Sequence, residues 1–170
     1  MTAPRPNTSQ GTHEKVLELL LAGRRGRVLD APAGEGALCL ALRQAGFSPH
    51  AVECDRRQFK LDDVPLTVCD LNAALPFQRG SFDAVACVDG IEHLENPFAL
   101  IREFHRVLRP GGRVVLSTPN VLALRSRVRF LFTGFHNKFK TPLDEGRPSP
   151  SHHINPLTFH ELRYALHTAG

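Results

Sequence analysis

Between Val28 and Gly36 the chain reads Val-Leu-Asp-Ala-Pro-Ala-Gly-Glu-Gly, an apolar run that ends in Asp30 and in two glycines one position apart. Gly34 and Gly36 allow a sharp turn and let backbone approach a ligand with no Cβ in the way. If the run is a strand feeding a helix, its end faces the crevice where doubly wound sheets bind ligands, and the helix N-terminus favours a carboxylate or phosphate. The dinucleotide fingerprint needs a third glycine where this chain has Cys39, so a nicotinamide or flavin reading loses one of its elements. Further along, Glu53, Asp70 and Asp89 each follow a short apolar run. A carboxylate at Glu53 could accept from both hydroxyls of a ribose, and one at Asp70 from an exocyclic amino group. Acidic groups at successive strand ends suit a cationic or amino-bearing nucleoside better than a pyrophosphate. His93, just beyond Asp89, can titrate near neutrality and is the candidate general base; His152 and His153 are second choices that could arrive with a lid. Against these stand plainer roles: an ordinary turn for the glycines, solvated strand ends or caps for Glu53 and Asp70, a helix-capping histidine for His93.

Strand and helix signals alternate along the chain. Short apolar or β-branched runs lie at Arg27–Ala31, His50–Glu53, Leu66–Cys69, Phe82–Val88 and Arg113–Ser117, each bounded by Gly, Pro, Asp or Asn. Helical periodicity predicts elements over Glu14–Ala22, Ala37–Ala45 (ended by Gly46), Pro97–Leu108 (capped by Asn96), Leu122–Phe132 and a last helix over 158–169 that opens with a Thr158/Glu161 capping box. The pattern predicts a parallel sheet covered on both faces, with Pro110-Gly111-Gly112 as a structural turn feeding the fifth strand. Residues 1–12 read as a disordered tail and 13–170 as one domain: a core over 27–120, an acceptor and lid region over 121–157, then the last helix.

With 170 residues and 42% hydrophobic content the chain is long enough for a buried core. Its four cysteines form no C-x-x-C pair, which excludes a zinc ribbon and a disulfide scaffold; no metal site is predicted. No apolar run reaches membrane-spanning length and no secretory signal opens the chain, so a cytoplasmic protein is expected. The net charge of +4 arises from scattered arginines, without the aromatic-interleaved basic stripe of a nucleic-acid binder. Arg125, Arg127 and Arg129 alternate along a helix and so do not share one face.

Taken in order, the segments LDAPAGEG, AVECD, CDLNAALPF, GSFDAVACVDGIEHLENP and REFHRVLRPGGRVVLSTPN resemble the successive motifs of class I S-adenosylmethionine-dependent methyltransferases, closely over 27–120 and loosely elsewhere. The resemblance implies a Rossmann-like doubly wound, mostly parallel sheet of strand order 3-2-1-4-5. It implies that Asp30, Ala31, Gly34 and Gly36 line the methionyl part of S-adenosyl-L-methionine and that Glu53 holds the ribose, with Cys54 near the adenine. Asp70 and Leu71 would meet the adenine edge, and Val88 with Asp89 would close over the sulfonium. Pro32 replaces the family's commoner glycine and removes a backbone donor. The family adds two strands after the last helix, so the chain is expected to be C-terminally incomplete, with the fifth strand as an exposed edge. The expected activity is methyl transfer to a small-molecule acceptor at oxygen; the absence of an Asn/Asp-Pro-Pro-Tyr/Phe motif after the fourth strand argues against amino methylation of nucleic-acid bases or of a glutamine side chain. The arginine-rich helix and the later loop are also similar to MetW-type proteins of methionine biosynthesis, which leaves open a partner role beside an enzyme, or a homodimer.

Overall fold

The computed structural model describes residues 3–139, 146, 149 and 152–170. The other ten residues of the expected lid, within 140–151, lie outside them.

Chain order is α1 (Thr12–Leu21), β1 (Arg27–Asp30), α2 (Ala37–Gln44), β2 (Ser48–Glu53), β3 (Leu66–Val68), β4 (Phe82–Val88), a 3-10 turn (Ile91–His93), α3 (Pro97–Val107), β5 (Leu108–Ser117), α4 (Leu124–Thr133) and α5 (Phe159–Ala169). The strands form one parallel sheet of order β3-β2-β1-β4-β5, in the predicted sequence. Every side chain of β4 is buried, as a central strand between two helical layers requires. Alternation divides the core. Val28, Ala84, Ala86 and Val88 pack with Val16, Leu20, Leu38 and Leu42 of α1 and α2. Leu29, Val85 and Cys87 pack on the other face with Leu100, Ile101 and Phe104 of α3 and with Ala165 of α5.

Local chemistry sets the helix ends. The Asn96 side chain accepts from Ala99 N–H at 3.0 Å with Pro97 in the first turn, and Thr158 and Glu161 form the full capping box. One departure is the fifth strand, which begins at Leu108 directly after α3 and passes through Pro110–Gly112 before pairing regularly from Arg113, with a register shift opposite Phe82 and Ala84. The N-terminus is another. Residues 3–11, expected to be disordered, run along the carboxyl end of the sheet: Arg5 N–H donates to Glu35 Oε2 at 2.8 Å and Thr8 Oγ1–H to Asp89 Oδ2 at 2.5 Å. Among the described residues no helix is long and apolar enough to cross a membrane.

Candidate functional site

At the carboxyl ends of β1, β2 and β4 lies a cavity of about 250 Å³. Its floor is the β1–α2 loop. Gly34 holds φ 55, with open space where a Cβ would stand, and Gly36 holds φ 95 as the N-cap of α2. A Cβ on Gly36 would come within 2.8 Å of Phe59 Cε2, so this glycine serves packing behind the loop. Gly90 is equally constrained, since a Cβ there would overlap the Pro32 ring. Asp30, Gly34, Glu53, Cys54, Asp70, Leu71, Val88, Asp89 and His93 all border the cavity. Ala31 and Gly36 are not among its bordering residues. Ala31 is fully buried and spends its N–H on the Ala86 carbonyl at 3.0 Å, which ties the loop to the sheet.

The carboxylates differ in setting. Asp30 is buried and accepts from the Cys39 thiol at 3.1 Å; burial raises its pKa to about 7, the thiol hydrogen bond works against that rise, and Glu53 adds to it. Glu53, also buried, accepts from Gly34 N–H at 2.8 Å on Oε1 and from Cys54 N–H at 3.0 Å and the Cys54 thiol at 3.7 Å on Oε2, which fixes its carboxylate across the loop. Asp70 is exposed and closes a turn on itself through Asn72 N–H at 2.8 Å. Asp89 sits at φ 46, a left-handed conformation rare for a non-glycine residue, and is held there by Ser117 Oγ–H donating to its Oδ1 at 2.7 Å. This acceptor-rich set fits a ligand that is cationic and rich in N–H and O–H donors.

His93 ends the 3-10 turn after β4. Its Nδ1 meets the His152 carbonyl at 2.9 Å, so that nitrogen carries the hydrogen and Nε2 keeps the lone pair. The later loop thus reaches the site: the His153 ring stands edge-on to His93 with centroids 4.6 Å apart. Residues that sequence reasoning missed fall into two groups. Arg5, Asn7 and Thr8 border the cavity from the N-terminal segment, where no periodicity marks them, and His13 borders it from the first turn of α1. Glu92 is fully buried, with its pKa raised to about 7 by burial, and the one available signal was an acidic residue inside the apolar run Gly90-Ile91-Glu92-His93-Leu94. Of the cysteines, Cys39 and Cys87 are buried as expected, whereas Cys54 is exposed at the cavity.

Comparison with known proteins followed the same direction. The sequence profile of a methyltransferase domain matches residues 9–170. A ubiquinone biosynthesis O-methyltransferase of Psychrobacter arcticus is 29% identical over 178 residues, covering 86% of this chain and 68% of that protein. One from Pseudomonas aeruginosa is 33% identical over 116 residues, covering 59% of this chain and 46% of its own length. The chain spans about half the length of several such relatives. Among solved structures, a SAM-dependent methyltransferase from Thermotoga maritima superimposes with a TM-score of 0.68 at 20% identity, covering 94% of this chain and 69% of that one. The [4+2]-cyclase SpnF gives the same TM-score at 20% identity, covering 93% of this chain and 56% of its own, so the fold alone does not settle the reaction.

Proposed function

This chain belongs to the methyltransferase-domain family, and from that premise we propose that it transfers a methyl group from S-adenosylmethionine to an oxygen of a small-molecule acceptor in the cytoplasm. The observation that carries the reading is the convergence of Asp30, Glu53, Asp70 and Asp89 on one cavity at the carboxyl edge of the sheet. When bound, the cofactor would supply a sulfonium-activated methyl, whose transfer to oxygen would return the C–S electron pair to sulfur and release the hydroxyl proton.

The protein's part is placement, an effect that can supply about 7–11 kcal/mol of the barrier. Asp30 would hold the cofactor's ammonium group, and Gly34 would shape the methionyl end, with Ala31 and Gly36 setting the loop's path from behind. Glu53 would accept from the ribose hydroxyls, with Cys54 beside the base. Asp70 and Leu71 meet the adenine edge, and Val88 with Asp89 closes the sulfonium end. His93, its Nδ1 committed to a carbonyl, presents Nε2 toward the acceptor hydroxyl. The acceptor's side is assigned to the 121–157 region, of whose described residues His152 and His153 meet His93. Oxygen as the acceptor atom is favoured by the relatives named for O-methylation. The MetW-type partner role finds no support in those relatives.

Titration calorimetry with S-adenosylmethionine tests the cofactor half. Binding is expected in the wild type and a loss of about 10- to 100-fold in Glu53→Ala, the worth of hydrogen bonds to a charged group. No binding, or an affinity indifferent to Glu53, would sink the reading. Labelled-methyl transfer to matched phenols and amines then decides the acceptor atom.

A further inference from the structure

We propose that Glu92, His93 and His153 form a site for a divalent first-row transition ion at the edge of the cofactor cavity. Each residue offers one ligand atom, and these atoms lie within 4.8 Å of one another. At the roughly 2.1 Å of metal–nitrogen and metal–oxygen bonds two ligand atoms stand at most about 4.2 Å apart, so side-chain rotation would draw the three together around an ion. Two imidazoles with one carboxylate favour manganese-to-zinc ions over magnesium or calcium, which prefer all-oxygen sets.

Three further observations point to a ligand. Glu92 is fully buried, and its Oε1 has no hydrogen-bond partner among the described residues. A carboxylate oxygen left so in the interior is costly, and an ion would satisfy it. The ligands are also braced from behind: Thr118 Oγ1–H donates to Glu92 Oε2 at 3.1 Å, and His93 Nδ1–H donates to the His152 carbonyl at 2.9 Å, which turns Nε2 into the ligating atom. Finally, the segment bringing His153 is fastened to the 3-10 turn. Ile154 and Asn155 N–H donate to the Glu92 carbonyl at 2.9 and 3.0 Å, and the Asn155 side chain donates to the Leu94 carbonyl. Two stretches about sixty residues apart in the chain are thus held together at the ligand atoms.

Three protein ligands leave at least one position open, the arrangement of catalytic rather than structural sites. His93 borders the cavity, so that position adjoins the acceptor side. Resting on the oxygen-methylation reading, the ion's role is to hold the acceptor hydroxyl and lower its pKa, so that the proton leaves to water and the oxygen lone pair forms the bond to the methyl carbon. His93 then acts through the ion instead of taking the proton itself.

Metal-stripped full-length protein dialysed against cobalt(II) is expected to retain one ion per chain and to show visible ligand-field bands. Glu92→Gln and His153→Ala should each weaken retention by at least about tenfold, while His160→Ala, an exposed histidine elsewhere, leaves it unchanged. S-adenosylmethionine titration of the same samples reports folding, because neither Glu92 nor His153 borders the cofactor cavity. No retained cobalt, or retention unaltered in a His153→Ala protein that still binds S-adenosylmethionine, overturns the site. Cobalt retained by a wild type that fails to bind S-adenosylmethionine instead overturns the methyltransferase reading and leaves the metal site standing.

Discussion

Asp30 shows how far burial can move a single residue. Its ordinary pKa near 3.8 rises to about 7 because the folded state gives the charge little solvent. Between those values the native protein holds a proton that the unfolded chain has released, so stability declines as pH rises from about 4 to 7 and levels off above. Cofactor binding runs the other way. A cationic ligand prefers the ionised carboxyl, so its affinity should climb by up to roughly tenfold per pH unit below the pKa and flatten above it. Calorimetry at pH 6 and pH 8 checks the slope, and Asp30→Asn should abolish it; a flat wild-type profile would remove Asp30 from the ligand's charged end. The acidic type and the position after a strand were legible in the sequence. The altered titration was not, since it depends on burial of the carboxyl by distant parts of the chain, with Cys39 of α2 opposing the rise and Glu53 of β2 adding to it.

Elements carry the next level of control, and the N-terminal segment is the instructive one. Its hold on the site consists of one backbone N–H to Glu35 and one hydroxyl to Asp89. Neither contact leaves a periodic trace, so residues 3–11 read as a tail. Thr8→Val removes a hydrogen bond to a carboxylate while nearly conserving shape, and we expect about 3- to 10-fold weaker S-adenosylmethionine binding, the worth of an ordinary hydrogen bond at a site open to solvent screening. Stopped-flow dissociation would show the change mainly in the off-rate; an unaltered rate would reduce the segment to a bystander. By contrast, the Asn96 and Thr158 caps were legible because each is a local bargain between a side chain and the next turn. The start of β5 was obscured for the opposite reason. Arg109 to Gly112 has turn chemistry, and pairing beside Phe82 in β4 draws that stretch into the strand.

At the scale of the whole molecule, one sheet separates two apolar layers, and the α3 side carries the larger cluster. Phe104 lies at its centre, 1% exposed. Phe104→Ala should cost about 3–5 kcal/mol through lost transfer energy and a cavity, a large share of the roughly 5–15 kcal/mol available to a domain. Urea unfolding would show a lowered midpoint with an unchanged slope. A loss under 1 kcal/mol would mean that α3 is not a keystone of the core. The alternating strands and helices, the glycine loop and the acidic strand ends could be read directly from residue types, because period-two and period-3.6 patterns and turn residues act within a few positions of one another, whereas the order of the strands in the sheet followed only from the family resemblance. What needed the folded chain was every relation between distant segments: the N-terminal segment against Asp89, His153 beside His93, and the burial that leaves a Glu92 oxygen without a partner among the described residues. Those are consequences of packing, in which one side chain's neighbours, solvent and charge are supplied by residues far away in the chain, and no local pattern encodes them.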